Sequence, residues 1–485
     1  MPIRLYQRSP IPAGKDVSVL VLDANSYFSI FLIVGALVLG LFYWGYVRSK
    51  DQWETVSPLK NPRKSNRSIL FLLLGALVIK LCFAALVMKP HFDYQYFFRW
   101  SNEVYQYGFD VYQQSSFLDY PPGYLYILYA IRWLAGLFQL DLTGPVYRTM
   151  METPVILGEL LGGWVLYQVA RKYRPGNRFW LYFAPTIYLF NPASFLNVNF
   201  WGQVDALLAS LMMLSFYLVG QNKWIAGALA FTGAVLLKPQ ALMMTPVYLY
   251  FILDCGIASI RERDARPIGR AVLALGSAFV VFVLVCLPFS AGRGPLWMLD
   301  LYFNTMVSYS SASLGACNLF GLFDGSGTSV YNPFFFLTFS DWSSIFTVLC
   351  ILAAGVVYFM SKREHRLLLS ALWLYTSLYT LTAFMHERYL FPTLIMVLSL
   401  FLMNKDRFYL RLYVGFSIVN YACTAMALSA YYAGGSFDHT APMYVFSFVM
   451  VAAFVLFTRH VILSCRRERK SISPPPLPVE DGSGN

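Results

Sequence analysis

The sequence predicts an all-α, polytopic integral membrane protein, and two features of its composition carry that prediction. Of its 485 residues, 58% are hydrophobic and only 13% are charged, whereas about a quarter of a soluble globular protein is charged. Several apolar runs are about 20 residues long, which matches the ~30 Å hydrocarbon core of a bilayer. In lipid such runs must be helices, because no water is present to satisfy an open backbone.

About thirteen apolar segments are predicted to span the membrane as helices. In chain order they are 27–47, 69–88, 151–170, 179–197, 204–220, 224–237, 241–258, 270–289, 343–360, 367–384, 389–403, 410–430 and 442–463.

A shorter apolar run, 124–138, is predicted to lie along the outer surface without crossing. It carries Arg132 in its middle and follows the breaker DYPPG. If it does not cross, nearly all the basic loops face the cytoplasm, as the positive-inside bias requires; they are 48–67, 171–178, 261–270, 361–366 and 404–411, with the basic tail from 465.

This topology gives one transmembrane domain, 27–465, between an N-terminal segment, 1–26, and a basic, then Pro-rich, disordered cytoplasmic tail, 466–485. Two large loops, 89–149 and 290–342, face outward and carry juxtamembrane helices. No internal repeat is visible, which argues against an inverted-repeat transporter.

The charge pattern and the cysteine spacing argue against a nucleic-acid-binding protein and against a disulfide-rich or zinc-binding protein. The net charge is +12, but Lys and Arg occur in short bursts between apolar runs, as orientation signals do, so no nucleic-acid partner is expected. The seven cysteines are scattered and lack metal-ligand spacing, so neither a disulfide framework nor a zinc site is predicted.

Charged side chains are predicted to meet at the outward ends of several helices. Charges near a bilayer are costly and usually functional. One chemistry that fits is attack on a sugar held on a lipid phosphate, in which a carboxylate accepts a hydroxyl proton and cations hold the departing phosphate. The residues are Asp93, Asp205, Lys238 and the triplet His386, Glu387 and Arg388.

Five motifs in order resemble those of the GT-C superfamily of membrane glycosyltransferases. They are HFDYQYFFRW, DYPPGYLYIL, NFWGQVDAL, LLKPQALMMTP and HERYLFP. The likeness covers residues 69–460 and is greatest to bacterial relatives of the second mannosyltransferase of glycosylphosphatidylinositol-anchor assembly. It implies an inverting transfer of a hexose, with mannose favoured, from a polyprenyl or dolichyl phosphate to a hydroxyl acceptor on a lipid, glycan or protein.

The resemblance also implies roles for individual residues. Asp93 is expected to be catalytic, as a base or by positioning the acceptor. The donor phosphate or sugar is expected to contact Arg148, Lys238, His386, Glu387 and Arg388. The acceptor or sugar is expected to contact Tyr94, Tyr120, Gln203 and Asp205.

The chain departs from the family pattern at two points. It has an extra N-terminal helix at 27–47, and no second Asp lies close to Asp93 in sequence to form a paired acidic motif. No metal ligands are therefore assigned; a divalent cation is left open, and no other cofactor is indicated.

Each candidate also has a purely structural interpretation. Lys238 and Arg148 could be orientation charges at helix ends. Asp93 and Asp205 could cap the helices that they precede. Arg388 could only pair with Glu387, and Tyr94 could belong to an interfacial aromatic belt. Lys80 and Glu159, both inside predicted helices, could pair with each other.

Two other functions remain open from the sequence. A transporter or flippase of lipid-linked sugars would place its ionisable residues near the midplane, and a glycan-polymerising enzyme would want more Arg and His in the second outer loop. The compact chain lacks an evident retention signal, which favours a bacterial plasma membrane over the endoplasmic reticulum. In either membrane the site is expected to be extracytoplasmic.

Overall fold

The protein is an α-helical bundle. In the described part of the chain, the strands have two residues each and lie between residues 313 and 386. The computed structural model describes residues 23–48, 62–89, 92–433 and 440–472, and about 79% of it is helical. The helices are α1 Ala24–Arg48, α2 Pro62–Leu86, α3 Phe92–Tyr107, α4 Val111–Gln114, α5 Pro122–Leu137, α6 Pro145–Tyr173, α7 Arg178–Leu189, α8 Pro192–Phe195, α9 Asp205–Val219, α10 Trp224–Leu237, α11 Thr245–Glu262, α12 Arg266–Cys286, α13 Trp297–Val307, α14 Phe339–Met360, α15 Arg366–Leu381, α16 Pro392–Asn404, α17 Arg407–Tyr432 and α18 Thr440–Ile472. The strands are β1 Ser313–Leu314, β2 Pro333–Phe334, β3 Leu337–Thr338 and β4 Met385–His386.

The fold class predicted from the sequence is confirmed, but thirteen spans are not. Within the described residues seven helices are long and apolar enough to cross a bilayer: α1, α2, α11 with the preceding turn, α12 with the following turn, α14, α17 and α18. The helices α9, α10 and α16 are apolar but have at most 15 residues, and at 1.5 Å per residue 15 residues reach only about 22 Å. The predicted segment 179–197 is divided between α7, α8 and a π-helical turn.

Proline positions explain several helix boundaries. α5, α6, α8, α11, α12 and α16 each have a Pro in the first two positions, where the missing N–H costs nothing and the fixed φ suits a helix. α5 therefore starts within the YPPG motif, and it is not one of the seven candidate spans.

The loops predicted to face outward meet at one end of the bundle. β1, from the second outer loop, pairs in parallel with β4, so that Leu314 lies opposite His386. The Thr305 hydroxyl, from α13, donates to the backbone oxygen of Asp119 in the first outer loop at 3.0 Å. Residues far apart in sequence are thereby brought to a common face.

The predicted cytoplasmic loops also contact one another. Arg174 donates to the backbone oxygens of Phe401 and Leu402 at the end of α16. The His365 ring lies 2.6 Å from Asn404 Oδ1. Loops with many basic residues thus share an end, as the charge-based topology requires.

Cysteine labelling tests this topology. In a Cys82→Ser background, Ser116→Cys in the first outer loop is expected to react with a membrane-impermeant maleimide on intact cells, and Arg178→Cys only after permeabilisation. Ser116 and Arg178 are both exposed, and Cys82 is the exposed free cysteine of the described chain. The reverse labelling pattern would overturn the topology.

Two buried ion pairs join α6 to the region around α2. Lys80 Nζ lies 2.9 Å from Glu159 Oε2, and Lys89 Nζ lies 2.7 Å from Glu152 Oε1; all four side chains are almost completely buried. The pairing of Lys80 with Glu159, which the sequence suggested, is confirmed. Lys80 also approaches Asn199 Oδ1 at 3.5 Å, so the first pair reaches the π-helical turn described below.

Lys80→Met is expected to destabilise the protein by about 3–5 kcal/mol, because it leaves the Glu159 carboxylate buried without its counter-charge. Thermal unfolding in detergent measures the loss. The double variant Lys80→Met/Glu159→Leu removes both charges and is expected to recover most of the stability. Equal unfolding temperatures for the wild type and the single variant would contradict this role for the pair.

The sequence predicted no disulfide framework, but the described chain contains one disulfide. Cys317, in the second outer loop, is bonded to Cys423 in α17, across 106 residues of sequence. The bond joins β1's loop to the outer half of α17, and disulfides persist in extracytoplasmic compartments. Sequence spacing could not reveal it, since the two cysteines meet only when the loop folds onto the helix.

The C-terminal tail differs from the predicted domain boundary, and parts of both chain ends lie outside the described residues. α18 continues through the basic stretch to Ile472, so the predicted tail begins as helix. The Pro-rich part, 473–485, and most of the predicted N-terminal segment lie outside the described residues.

Candidate functional site

Asp93 lies in the first turn of α3 and is held by side chains from two distant parts of the chain. Its Oδ2 accepts hydrogen bonds from Trp201 Nε1 at 2.9 Å and from Gln203 Nε2. Arg388 Nη2 lies 3.2 Å from the same oxygen. A carboxylate at a helix N-terminus is further stabilised by the helix dipole.

The two uncharged donors to Asp93 are positioned by an unusual backbone. Residues Leu196–Trp201 form a π-helical turn, and Gly202 follows with φ +78°. That left-handed conformation suits glycine, which has no Cβ. The turn redirects the chain so that Trp201 and Gln203 both point at Asp93 just before α9 begins.

A second carboxylate, Asp205, binds the two basic side chains of the site. Its Oδ1 lies 2.5 Å from Lys238 Nζ, and its Oδ2 lies 3.8 Å from Arg388 Nε. Asn197 Nδ2 donates to Oδ2 at 3.0 Å. Asp205 and Lys238 are buried, so this pair fixes the end of α10 against the start of α9.

The triplet 386–388 is positioned by the pairing of β4 with β1. The Glu387 N–H donates to the Leu314 oxygen at 3.2 Å, which turns Glu387 toward its neighbours. Its Oε1 lies 2.5 Å from Arg388 Nη1, and its Oε2 lies 3.8 Å from His386 Nδ1. Arg388 also lies over the Trp201 ring, with its Cζ 5.2 Å from the ring centroid.

Burial and neighbouring charge fix the protonation states of this triplet. Burial alone would raise the pKa of Glu387, but the charge of Arg388, together with the contacts to His386 and the backbone, outweighs burial and holds that pKa at about 2. Burial lowers the pKa of His386, and the charge of Arg388 lowers it further. Near neutral pH Glu387 is therefore anionic and His386 is neutral.

These side chains border a cavity of about 650 Å³ that has a polar end and an apolar end. Asp93, Lys238, His386 and Arg388 line the polar end. An aromatic wall adjoins them, formed by Tyr96, Phe97, Trp100, Phe117 and Tyr120. The apolar end lies between two candidate spans, α11 and α14, and is lined by Leu242, Met243, Pro246, Phe303, Thr347 and Ile351.

Asp119 is a second acidic residue in this cavity, and it was not among the residues predicted from the sequence. It lies directly before the YPPG motif, 26 positions after Asp93, and both carboxylates line the same cavity. Burial, and next the negative charge of Asp93, raise the pKa of Asp119 to about 6. The sequence has no second Asp close to Asp93 along the chain, whereas the structure places Asp119 in the same cavity. Sequence proximity is a poor guide, because the loop before α5 folds back onto α3.

The structure brings together most of the predicted site residues. Gln203 and Asp205 contact Asp93 or its cationic partners, and Tyr120 lines the cavity. Two predicted residues lie elsewhere. Arg148 donates to the Ala85 oxygen at 2.8 Å and is not among the lining residues, and Tyr94 lies beside Gly202, also outside the lining.

The site contains more carboxylates than basic side chains. The basic side chains are Lys238 and Arg388, and the carboxylates are Asp93, Asp119, Asp205 and Glu387. A proton on Asp119 reduces this excess of negative charge. A bound divalent cation would reduce it as well. Within the described residues, however, no three His, Cys, Asp or Glu side chains are grouped so that they could hold a metal ion.

One comparison with known proteins bears on this site. Residues 99–315 match the family model of the GPI transamidase subunit PIG-U. PIG-U is a GT-C-like membrane protein family. The match covers under half of the chain: it includes Asp119, Gln203, Asp205 and Lys238 but ends before 386–388 and begins after Asp93. No curated protein matches the chain.

Proposed function

We propose that this protein is an inverting glycosyltransferase that moves a hexose, with mannose favoured, from a polyprenyl phosphate carrier to a hydroxyl acceptor. The observation that carries the proposal is the cavity, whose lining combines carboxylates and basic side chains with apolar side chains from two candidate spans. A lipid-linked sugar phosphate has matching parts: a polar head and a long apolar chain.

The cations are the groups that would hold the donor phosphate. Arg388 is fixed by Asp93 and Glu387, while its buried Nε has no hydrogen-bond partner within the described part of the chain. An N–H that lacks a partner gains a charge-assisted hydrogen bond when a phosphate oxygen reaches it. As the bond from the sugar to the phosphate breaks, negative charge grows on the phosphate, and the positive charges of Arg388 and Lys238 stabilise it.

The apolar end of the cavity suits the carrier's chain. Its walls come from α11, α13, α14 and the turn before α11, and both α11 and α14 expose apolar side chains outward, such as Leu249 and Leu352. A chain threaded between them would pass from the cavity into lipid and would bury apolar surface along its length. The aromatic wall would pack on sugar rings.

The reaction is proposed to take place on the extracytoplasmic face, which is the end of the bundle opposite the basic loops. That face is the periplasmic side of a plasma membrane or the lumenal side of the endoplasmic reticulum. The Cys317–Cys423 bond at the same end supports this assignment.

The experiment is a transfer assay with purified protein in lipid nanodiscs. Radiolabelled polyprenyl phosphate mannose and polyprenyl phosphate glucose are each incubated with membrane lipid extracts and with glycosylphosphatidylinositol precursors, and labelled products are identified by mass. We expect one donor to label a glycolipid, with inversion at the anomeric carbon. Intact donors in every combination, from a protein that remains folded, would refute the proposal.

A second candidate function follows from the match to the GPI transamidase subunit. The chain could bind a lipid-linked glycan in the same cavity and present it to a partner enzyme, without breaking a bond itself. That function requires binding but no turnover. A purified protein that binds a glycosylphosphatidylinositol lipid with the cavity intact, and transfers no sugar, would favour it.

A further inference from the structure

We infer that Asp119, rather than Asp93, takes the proton from the acceptor hydroxyl during glycosyl transfer. The inference rests on the proposed function and adds a residue role to it. Asp93, the acidic residue that the sequence singled out, instead fixes Arg388 and orients the acceptor.

The contacts of Asp93 favour a positioning role. Three donors converge on its Oδ2: Trp201 Nε1, Gln203 Nε2 and Arg388 Nη2. Each donor stabilises the carboxylate as an anion. Protonation of either Asp93 oxygen would neutralise the carboxylate and weaken all three contacts, and a weaker Arg388 contact would disturb the group that holds the phosphate.

Asp119 is placed differently. Its Oδ1 is buried and has no hydrogen-bond partner within the described residues, while its Oδ2 accepts a long, 3.3 Å hydrogen bond from the Tyr309 hydroxyl. A buried acceptor without a partner costs about 1–3 kcal/mol, and a substrate hydroxyl entering the cavity would satisfy it. The Thr305 hydroxyl, from α13, donates to the Asp119 backbone oxygen at 3.0 Å. Asp119 is therefore held at both its backbone and its side chain.

The charges around Asp119 suit a base that works near neutral pH. Asp93 faces Asp119 from α3, and Lys238 faces it from the end of α10. Tyr309 and Tyr389 present hydroxyl groups nearby. The His386 ring packs on Tyr309. Burial, then the charge of Asp93, raise the pKa of Asp119 to about 6. A base is most effective when its pKa lies near the working pH, since it is then both deprotonated and able to hold a proton.

The step balances without a further reactant. The acceptor O–H bond breaks and its proton passes to Asp119 Oδ1. The acceptor oxygen forms a bond to the anomeric carbon from the side opposite the phosphate, and the bond from that carbon to the phosphate oxygen breaks. The electron pair leaves with the polyprenyl phosphate beside Arg388, and Asp119 later releases its proton to water.

The test measures kcat and KM against pH for the wild type, Asp119→Asn, Asp93→Asn and His386→Gln, with Asp110→Asn as an exposed control in the same loop. For the wild type, kcat/KM is expected to fall below about pH 6, because a protonated Asp119 cannot act as the base. The kcat of Asp119→Asn is expected to fall about 10²-fold or more, with donor KM little changed. Its kcat/KM is expected to lack the acidic limb, which is the decrease below about pH 6 seen in the wild type. Asp93→Asn and His386→Gln are expected to keep a decrease in kcat/KM at acidic pH, which Asp93→Asn moves to lower pH because the Asp93 charge no longer raises the pKa of Asp119.

Three results overturn the inference. One is near-wild-type kcat for Asp119→Asn, another is an unchanged acidic limb in that variant, and the third is loss of the limb in Asp93→Asn instead. If the proposed transferase function is wrong, the wild type itself transfers no sugar from any donor. This result is distinguishable from the three results above, in which the wild type is active. Unchanged unfolding temperatures for Asp119→Asn exclude a folding defect as the cause of its lower kcat.

Discussion

Asp93→Asn is expected to lower sugar transfer about 10²-fold or more, in a protein that still folds. The substitution keeps the shape of the side chain and removes its charge. Trp201, Gln203 and Arg388 all direct N–H groups at Asp93 Oδ2. An amide oxygen accepts such bonds more weakly than a carboxylate does. Arg388 is then less firmly held where the phosphate must bind, and the acceptor loses an anionic contact.

The matched control for this variant is Asp110→Asn. Asp110 is an exposed residue of the same outer loop, and its side chain makes no capping hydrogen bond at α4. The assay compares initial rates at saturating donor, beside size-exclusion profiles and unfolding temperatures. Near-normal transfer by Asp93→Asn would remove this residue from the reaction.

Arg388→Ala is expected to weaken donor binding by about 10- to 100-fold, which corresponds to about 1.5–3 kcal/mol for lost charge-assisted hydrogen bonds. Acceptor binding is expected to change less, since the acceptor reacts through a hydroxyl group and the donor phosphate is the group proposed to contact Arg388. The variant also leaves Asp93, Asp205 and Glu387 without their shared cation, so its unfolding temperature is expected to fall.

Two companion variants separate these effects. Arg388→Lys keeps the charge but cannot make the planar, two-pronged contact of a guanidinium, so we expect intermediate donor affinity. Arg148→Ala is the matched control, because Arg148 lies outside the cavity lining and contacts the Ala85 oxygen. An unchanged donor KM for Arg388→Ala, or an equally large rise for Arg148→Ala, would count against the placement of the phosphate.

The sequence predicted the helical fold and much of the site for a common physical reason. Charged residues at a membrane boundary are rare and costly, and the positive-inside bias assigns each loop to a side. These two rules bring Asp93, Lys238 and Arg388 to one face before any contact is known. The structure then adds direct contacts between residues nearly 300 positions apart, such as Asp93 and Arg388.

Features that depend on packing alone were not predictable. Asp119 lies in the DYPPG motif, but its place in the same cavity as Asp93 follows from how the loop before α5 folds. The Cys317–Cys423 bond likewise needs the second outer loop to reach α17. Helix length was also misjudged: apolar runs such as 179–197 are interrupted by short turns that hydropathy does not detect.

The most direct test of the central claim is the position of the phosphate in an experimental structure determined with polyprenyl phosphate bound in a lipid nanodisc. We expect the phosphate to lie about 3 Å from nitrogen atoms of Arg388 or Lys238, beside Asp93 and Asp119, with the carrier chain leaving between α11 and α14. A phosphate bound at the basic-loop end, or outside the cavity while the same sample transfers sugar, would contradict the account.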